Sequence, residues 1–190
     1  LIEVKGLVKR YGSHTAVENL SFTVETGQVY GFLGPNGAGK STTMNMITGC
    51  ISATDGQVLI DGHDIFDDPI AAKRCIGYLP EIPPLYPDFS VREYLKFVCE
   101  LKGVKKSGIS TETQRVIEKA DIADVADRLI KTLSKGYRQR VGLAQALVGD
   151  PEIIILDEPS IGLDPKQIIQ MRELIRSLGR EHTVILSSHI

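Results

Sequence analysis

Nine consecutive residues, Gly34-Pro35-Asn36-Gly37-Ala38-Gly39-Lys40-Ser41-Thr42, have the types and spacing needed to hold phosphate. They fit the pattern G-x-x-x-x-G-K-[ST] without a gap. Glycines let successive backbone N–H groups turn toward phosphate oxygens. A helix beginning at the end of such a loop adds positive partial charge. Lys40 is then placed to bridge the β- and γ-phosphates of a nucleotide, and the Ser41 hydroxyl to ligate Mg²⁺. A dinucleotide fingerprint would use the glycines but leave Lys40 and Ser41 without a task.

Asp157 and Glu158 form a second group. They follow Ile153-Ile154-Ile155-Leu156, a β-branched run typical of a parallel strand buried on both faces. Ligands of open α/β sheets gather at strand carboxyl ends. The phosphate loop follows a strand in the same manner, so both groups are expected on one rim. There Asp157 holds the metal and Glu158 orients the attacking water. Leu133-Ser134-Lys135-Gly136-Tyr137-Arg138-Gln139-Arg140 precedes an apolar helix read over Val141 to Val148. By itself it is either an anion site at a helix N-terminus or an ordinary cap by Ser134, and spacing alone does not choose.

These residues need a scaffold, and its elements are readable. Val29 to Leu33 is a short apolar strand feeding the phosphate loop, and Ser41 to Ile47 opens a helix. Ile2 and Val4, then Leu20, Phe22 and Val24, alternate with polar neighbours as half-buried, antiparallel strands. Gln57 to Ile60 and Ile76 to Leu79 are further strands. From Pro80 the chain becomes irregular through Pro87. Ser90-Val91-Arg92-Glu93 has the capping-box pattern and starts a helix reaching about Leu101. Gly103 to Ser110 reads as a loop and Glu112 to Ala120 as a second helix. Ile168, Met171, Ile175 and Leu178 mark one apolar helix face. Val184 to Leu186 returns to the sheet. The expected fold is α/β, with a mainly parallel central sheet, an antiparallel β portion and an inserted helical subdomain.

The 190 residues suffice for one sizeable core and an insertion. With 22 basic and 24 acidic residues the charge nearly balances, which disfavours a nucleic-acid face. No apolar run is long enough to span a bilayer. The three cysteines, Cys50, Cys75 and Cys99, are widely spaced and read as reduced thiols.

Taken in order, these motifs resemble the nucleotide-binding domain of an ABC transporter across essentially the whole chain. Gly34–Thr42 resembles Walker A, Leu133–Tyr137 the ABC signature and Ile153–Glu158 Walker B. Ser160-Ile161-Gly162-Leu163-Asp164 resembles the D-loop, and His189 the switch histidine. Tyr11, placed just after the first strand, matches the aromatic that stacks on adenine. The resemblance implies an ATPase core at 1–80 and 141–190, with the helical subdomain and signature at 81–140. It implies ATP and Mg²⁺ as ligands, the latter held by Ser41, Asp157 and Glu81. It implies catalytic roles for Lys40, Glu158 and His189, and γ-phosphate contacts from Ser134 and Gly136 of a second copy. The implied partners are that copy, paired head-to-tail, and an integral membrane permease, at the cytoplasmic face of the cell membrane. The family continues after the histidine, so a C-terminal part is expected beyond residue 190.

Three positions depart from the family pattern. Lys135 and Tyr137 replace the third and fifth residues of Leu-Ser-Gly-Gly-Gln. Glu81, after Gly77-Tyr78-Leu79-Pro80, stands where glutamine is usual. Glu81 and the Ser134–Arg140 stretch are similar to ABC-2-type exporter ATPases. The alternative is a soluble ABC ATPase of DNA repair or translation.

Overall fold

A computed structural model describes residues 1–189. Two four-stranded sheets organise the chain. The antiparallel sheet has the order β2-β1-β4-β5, from β1 (Ile2–Tyr11), β2 (His14–Val24), β4 (Asp55–Ile60) and β5 (His63–Asp64). The parallel sheet has the order β3-β8-β7-β6, from β3 (Val29–Leu33), β6 (Ile76–Leu79), β7 (Ile153–Leu156) and β8 (Thr183–Ser188). Helix α1 (Lys40–Ile47) follows the phosphate loop, and α2 (Pro69–Arg74) precedes β6. Helices α3 (Val91–Leu101), α4 (Ile109–Lys119) and α5 (Lys135–Leu147) lie between β6 and β7, and α6 (Pro165–Leu178) between β7 and β8.

The parallel strands end in register. Leu79 pairs with Leu156, Leu156 with Leu186, and Leu33 with Ser188. Gly34, Pro80, Asp157 and His189 therefore all leave the sheet from one rim. The two-residue side-chain period of β7 explains why all four of its residues are buried. Ile153 and Ile155 join the core under the antiparallel sheet with Ile2, Met44 and Ile60. Ile154 and Leu156 join the helical core with Leu95, Ile117, Leu143 and Met171. Helix α5 approaches β6 so closely that a Cβ on Gly77 would lie 2.1 Å from the Ala146 carbonyl oxygen. Only glycine permits that packing.

The capping box at Ser90 forms, with Glu93 returning a bond to the Ser90 N–H at 2.9 Å. Several boundaries differ from the sequence reading. Tyr11 is the last residue of β1, paired with His14 across a tight turn, rather than following the strand. Helix α4 begins at Ile109, after one 3₁₀ turn at Lys106–Gly108, where a loop was expected. Helix α5 begins at Lys135, so Lys135 to Arg140 are its first turns and not a lead-in. Helix α2, capped by Asp68 with Pro69 at its first position, was not anticipated.

Candidate functional site

The phosphate loop wraps the N-terminus of α1. Gly39 caps that helix at φ +84°, and a Cβ there would lie 2.4 Å from the Ala16 carbonyl oxygen. The loop is thus pressed against β2 at a left-handed position that favours glycine. Helix α1 is also tied to the sheet from behind. The Tyr78 hydroxyl donates to Asn45 Oδ1 at 3.1 Å, and burial holds that phenol far above its ordinary pKa.

Lys40 is buried, and its ammonium folds back over the loop. It donates to the carbonyls of Gly34 at 2.7 Å and Pro35 at 3.0 Å. It also lies 3.6 Å from Glu158 Oε1. Ser41 Oγ donates to Asp157 Oδ1 at 3.2 Å. Asp157 and Glu158 are 3% and 7% exposed, unusual for carboxylates unless they are partnered. Glu158 adopts φ +46°, an uncommon conformation for a residue with a side chain. Its Oε2 meets His189 Nδ1 at 2.8 Å.

Ser187 locks the two acids together, a role the sequence did not reveal. Its hydroxyl donates to Asp157 Oδ1 at 2.6 Å and accepts the Glu158 N–H at 2.8 Å. The parallel pairing of β7 with β8 puts it there.

A cavity of about 480 Å³ opens in front of these groups. Asn36, Gly37, Gly39, Lys40, Ser41, Thr42 and Glu158 line it, with Glu81 and Ile161 on one side and Tyr11, His14 and Ala16 on the other. Tyr11 is 52% exposed, with Lys9 Nζ 5.1 Å from its ring centroid. Glu81 shares the cavity but has no hydrogen bond to Ser41 or Asp157. Ser134 and Gly136 are elsewhere. Ser134 caps α5 by accepting the Tyr137 N–H at 3.4 Å, and Gly136 lines a separate small cavity beside Leu163 and Gln167. Within one chain the structure gathers Lys40, Ser41, Asp157, Glu158, His189, Glu81 and Tyr11 but leaves Ser134 and Gly136 apart.

A family described as ABC transporter matches residues 17–161. The chain belongs to this family. The cassette is 41% identical over 192 residues to the bacitracin transport ATP-binding protein BcrA of Bacillus licheniformis, across 100% of this chain and 62% of that protein. It is 35% identical to a Nod factor export ATP-binding protein of Cupriavidus metallidurans, across 100% of this chain and 63% of the relative. The cassette thus spans less than two thirds of the length of either. A bacterial ABC transporter cassette solved as a dimer superposes with a TM-score of 0.89 at 27% identity, covering 100% of this chain and 88% of that one. The same cassette in a post-hydrolysis state bound to ADP and Pi superposes at 0.88 and 26% identity, with the same coverage. Among the described residues, no helix is long and apolar enough to cross a membrane.

Proposed function

We propose that this cassette binds and hydrolyses ATP as one of a head-to-tail pair, and so drives export through a separate membrane permease. One observation carries the reading: Lys40, Ser41 and Glu158 line a single cavity at the rim of the parallel sheet, with Asp157 bonded to Ser41 and His189 to Glu158. The relatives named for bacitracin transport and Nod factor export support it, as does the matched cassette solved as a dimer and with ADP and Pi. The alternative of a soluble ATPase in DNA repair or translation draws no support from these relatives.

The chemistry follows from the residues. The phosphates take the place of the Gly34 and Pro35 carbonyls at the Lys40 ammonium, and the loop N–H groups hold their remaining oxygens. Tyr11 offers its exposed ring to the adenine. Ser41 and Asp157 are hard oxygen donors 3.2 Å apart, suited to Mg²⁺, and Glu81 is a third oxygen donor in the same cavity. The bound ion supplies neutralisation of phosphate charge. Glu158 lies between Lys40 and His189, where it accepts the hydrogen of an attacking water and aims it. His189 fixes the Glu158 carboxylate and faces the terminal phosphate. Ser134 and Gly136, remote from their own loop, close the cavity of a second copy. The assembly then works at the cytoplasmic face of the cell membrane. The groove between the Glu81–Pro87 segment and the first turns of α5, which shares Glu81 and Ile161 with the nucleotide cavity, receives the permease.

The test is Glu158→Gln in the full-length protein. ATP binding persists, turnover falls about a hundredfold or more, and an ATP-bound dimer accumulates on gel filtration. Turnover at the wild-type rate would remove Glu158 from the chemistry.

A further inference from the structure

Tyr11 lines one side of the nucleotide cavity with a cation behind it. Lys9, two residues earlier on β1, sets its Nζ over the ring, 5.1 Å from the centroid. An ammonium so placed is attracted by the quadrupole of the aromatic face. Among the described residues Tyr11 lines the cavity and Lys9 does not. The cation therefore covers one face of the ring and leaves the other to the cavity. No other side chain among the described residues stacks on the Tyr11 ring or bonds to its hydroxyl. With the residue 52% exposed, Lys9 is what limits the freedom of the ring to turn.

The ammonium is itself held in place. It donates to the Ser52 carbonyl at 2.6 Å. That carbonyl belongs to the turn between α1 and β4, and the turn is fastened at both ends. The Cys50 N–H donates to the Asn45 carbonyl of α1 at 2.8 Å, and the Thr54 N–H to the Val8 carbonyl of β1 at 2.8 Å. Thr54 Oγ1 in turn accepts the Arg10 N–H at 3.0 Å. Helix α1 starts at the phosphate loop. One helix thus carries the phosphate loop at its N-terminus and, through Ser52 and Lys9, steadies the Tyr11 ring from its other end.

We infer that Lys9 is a positioning residue for the nucleotide base. It touches no nucleotide. It holds the Tyr11 ring with one face toward the cavity, so the base meets a plane that is already set. A side chain ordered only on binding would subtract its lost freedom from the affinity, and Lys9 removes that loss beforehand. The inference rests on the reading that Tyr11 stacks on adenine.

The experiment is titration calorimetry of the full-length protein with two probes. ADP carries the base and is not hydrolysed; inorganic diphosphate has no base. Wild type is compared with Lys9→Met, Lys9→Arg, Tyr11→Ala and the double variant Lys9→Met with Tyr11→Ala. Thermal midpoints establish that each is folded. Lys9→Met keeps the stem and removes the charge. It is expected to weaken ADP about two- to fivefold and to leave diphosphate unchanged. Lys9→Arg, a cation that also stacks on aromatic faces, restores the wild-type affinity for ADP. Without the Tyr11 ring, Lys9→Met has no further effect. In steady state the Lys9→Met variant raises KM for ATP by the same factor and leaves kcat in place. Equal weakening of both probes, or a full Lys9→Met effect in the absence of Tyr11, would show Lys9 acting through the fold or its bare charge and overturn the inference. If Tyr11→Ala weakens ADP selectively and Lys9→Met does not, the ring needs no support and the Lys9 inference alone is wrong. If Tyr11→Ala leaves ADP affinity unchanged, the adenine reading of Tyr11 fails first and the inference falls with it.

Discussion

Ser187→Ala isolates the contribution of a single hydroxyl to the arrangement of both acids. Ser187 is 0% exposed, so no water replaces the missing oxygen. The substitution removes a 2.6 Å bond to the Asp157 carboxylate, a charge-assisted contact of roughly 1.5–3 kcal/mol. It also leaves the Glu158 N–H buried without its acceptor, a penalty of about 1–3 kcal/mol. The two effects share one atom and overlap, so a net loss of about 2–4 kcal/mol is expected. For a chain of 190 residues that lowers the unfolding midpoint by roughly 4–16 °C. Function should change unevenly. Lys40, Ser41 and the loop glycines remain in place, so nucleotide affinity falls only a few-fold. Glu158, held at φ +46°, loses its backbone tether, and turnover falls about 10–100-fold. Calorimetric unfolding, equilibrium nucleotide binding and steady-state phosphate release measure the three quantities. Ser187→Cys, which retains a weak donor and acceptor, should lie between wild type and alanine. An unchanged midpoint together with unchanged turnover would show that Ser187 holds neither acid.

Gly39→Ala forces a left-handed alanine against the Ala16 carbonyl, which costs about 1–2 kcal/mol from conformation alone and lifts the loop off β2. ATP affinity by titration calorimetry should drop at least about tenfold, and wild-type affinity would refute the tight fit. Glu81→Gln should move the midpoint of the Mg²⁺ activation curve if the carboxylate reaches the metal, whereas an unchanged midpoint confines Glu81 to the groove. Glu112 accepts Arg115 Nη2 at 2.8 Å and the Gly149 N–H at 2.6 Å, and the bond to Arg115 above all holds its pKa below the ordinary 4.5. A depressed folded pKa contributes stability that is complete above pH 4.5 and lost as pH falls through the folded value. Glu112→Gln should therefore cost about 1–3 kcal/mol at pH 7 and progressively less in acid, as measured by denaturant titration across pH.

The elements legible in the sequence were those whose pattern is local. Four consecutive buried positions at Ile153–Leu156 and the reciprocal Ser90–Glu93 cap are written in adjacent residues, and so is the phosphate loop. Parallel pairing then follows from alternation of strand and helix, which is why both acid and phosphate groups could be placed on one rim. Other features depended on distant partners. Helix α2 has six residues, too few for an apolar period to show. The first turns of α5 are mostly polar in type although Gly136 and Gln139 are buried and Tyr137 packs on the helical core, so the apolar pattern marks only the later turns. Ser187 is one of two serines at the end of a strand. Its meaning appears only when β8 lies beside β7 and brings it to Asp157, thirty residues away in the chain.

Lys40 keeps its own binding place occupied. With the Gly34 and Pro35 carbonyls and Glu158 around it, the buried ammonium is solvated by the protein itself. An unaccompanied buried charge would strain or unfold its surroundings. Here the loop's own carbonyls satisfy the charge. Under the proposed function, nucleotide entry is an exchange of acceptors, and its heat reports a difference between two sets of bonds. The cation's own partners thus hold the loop in shape.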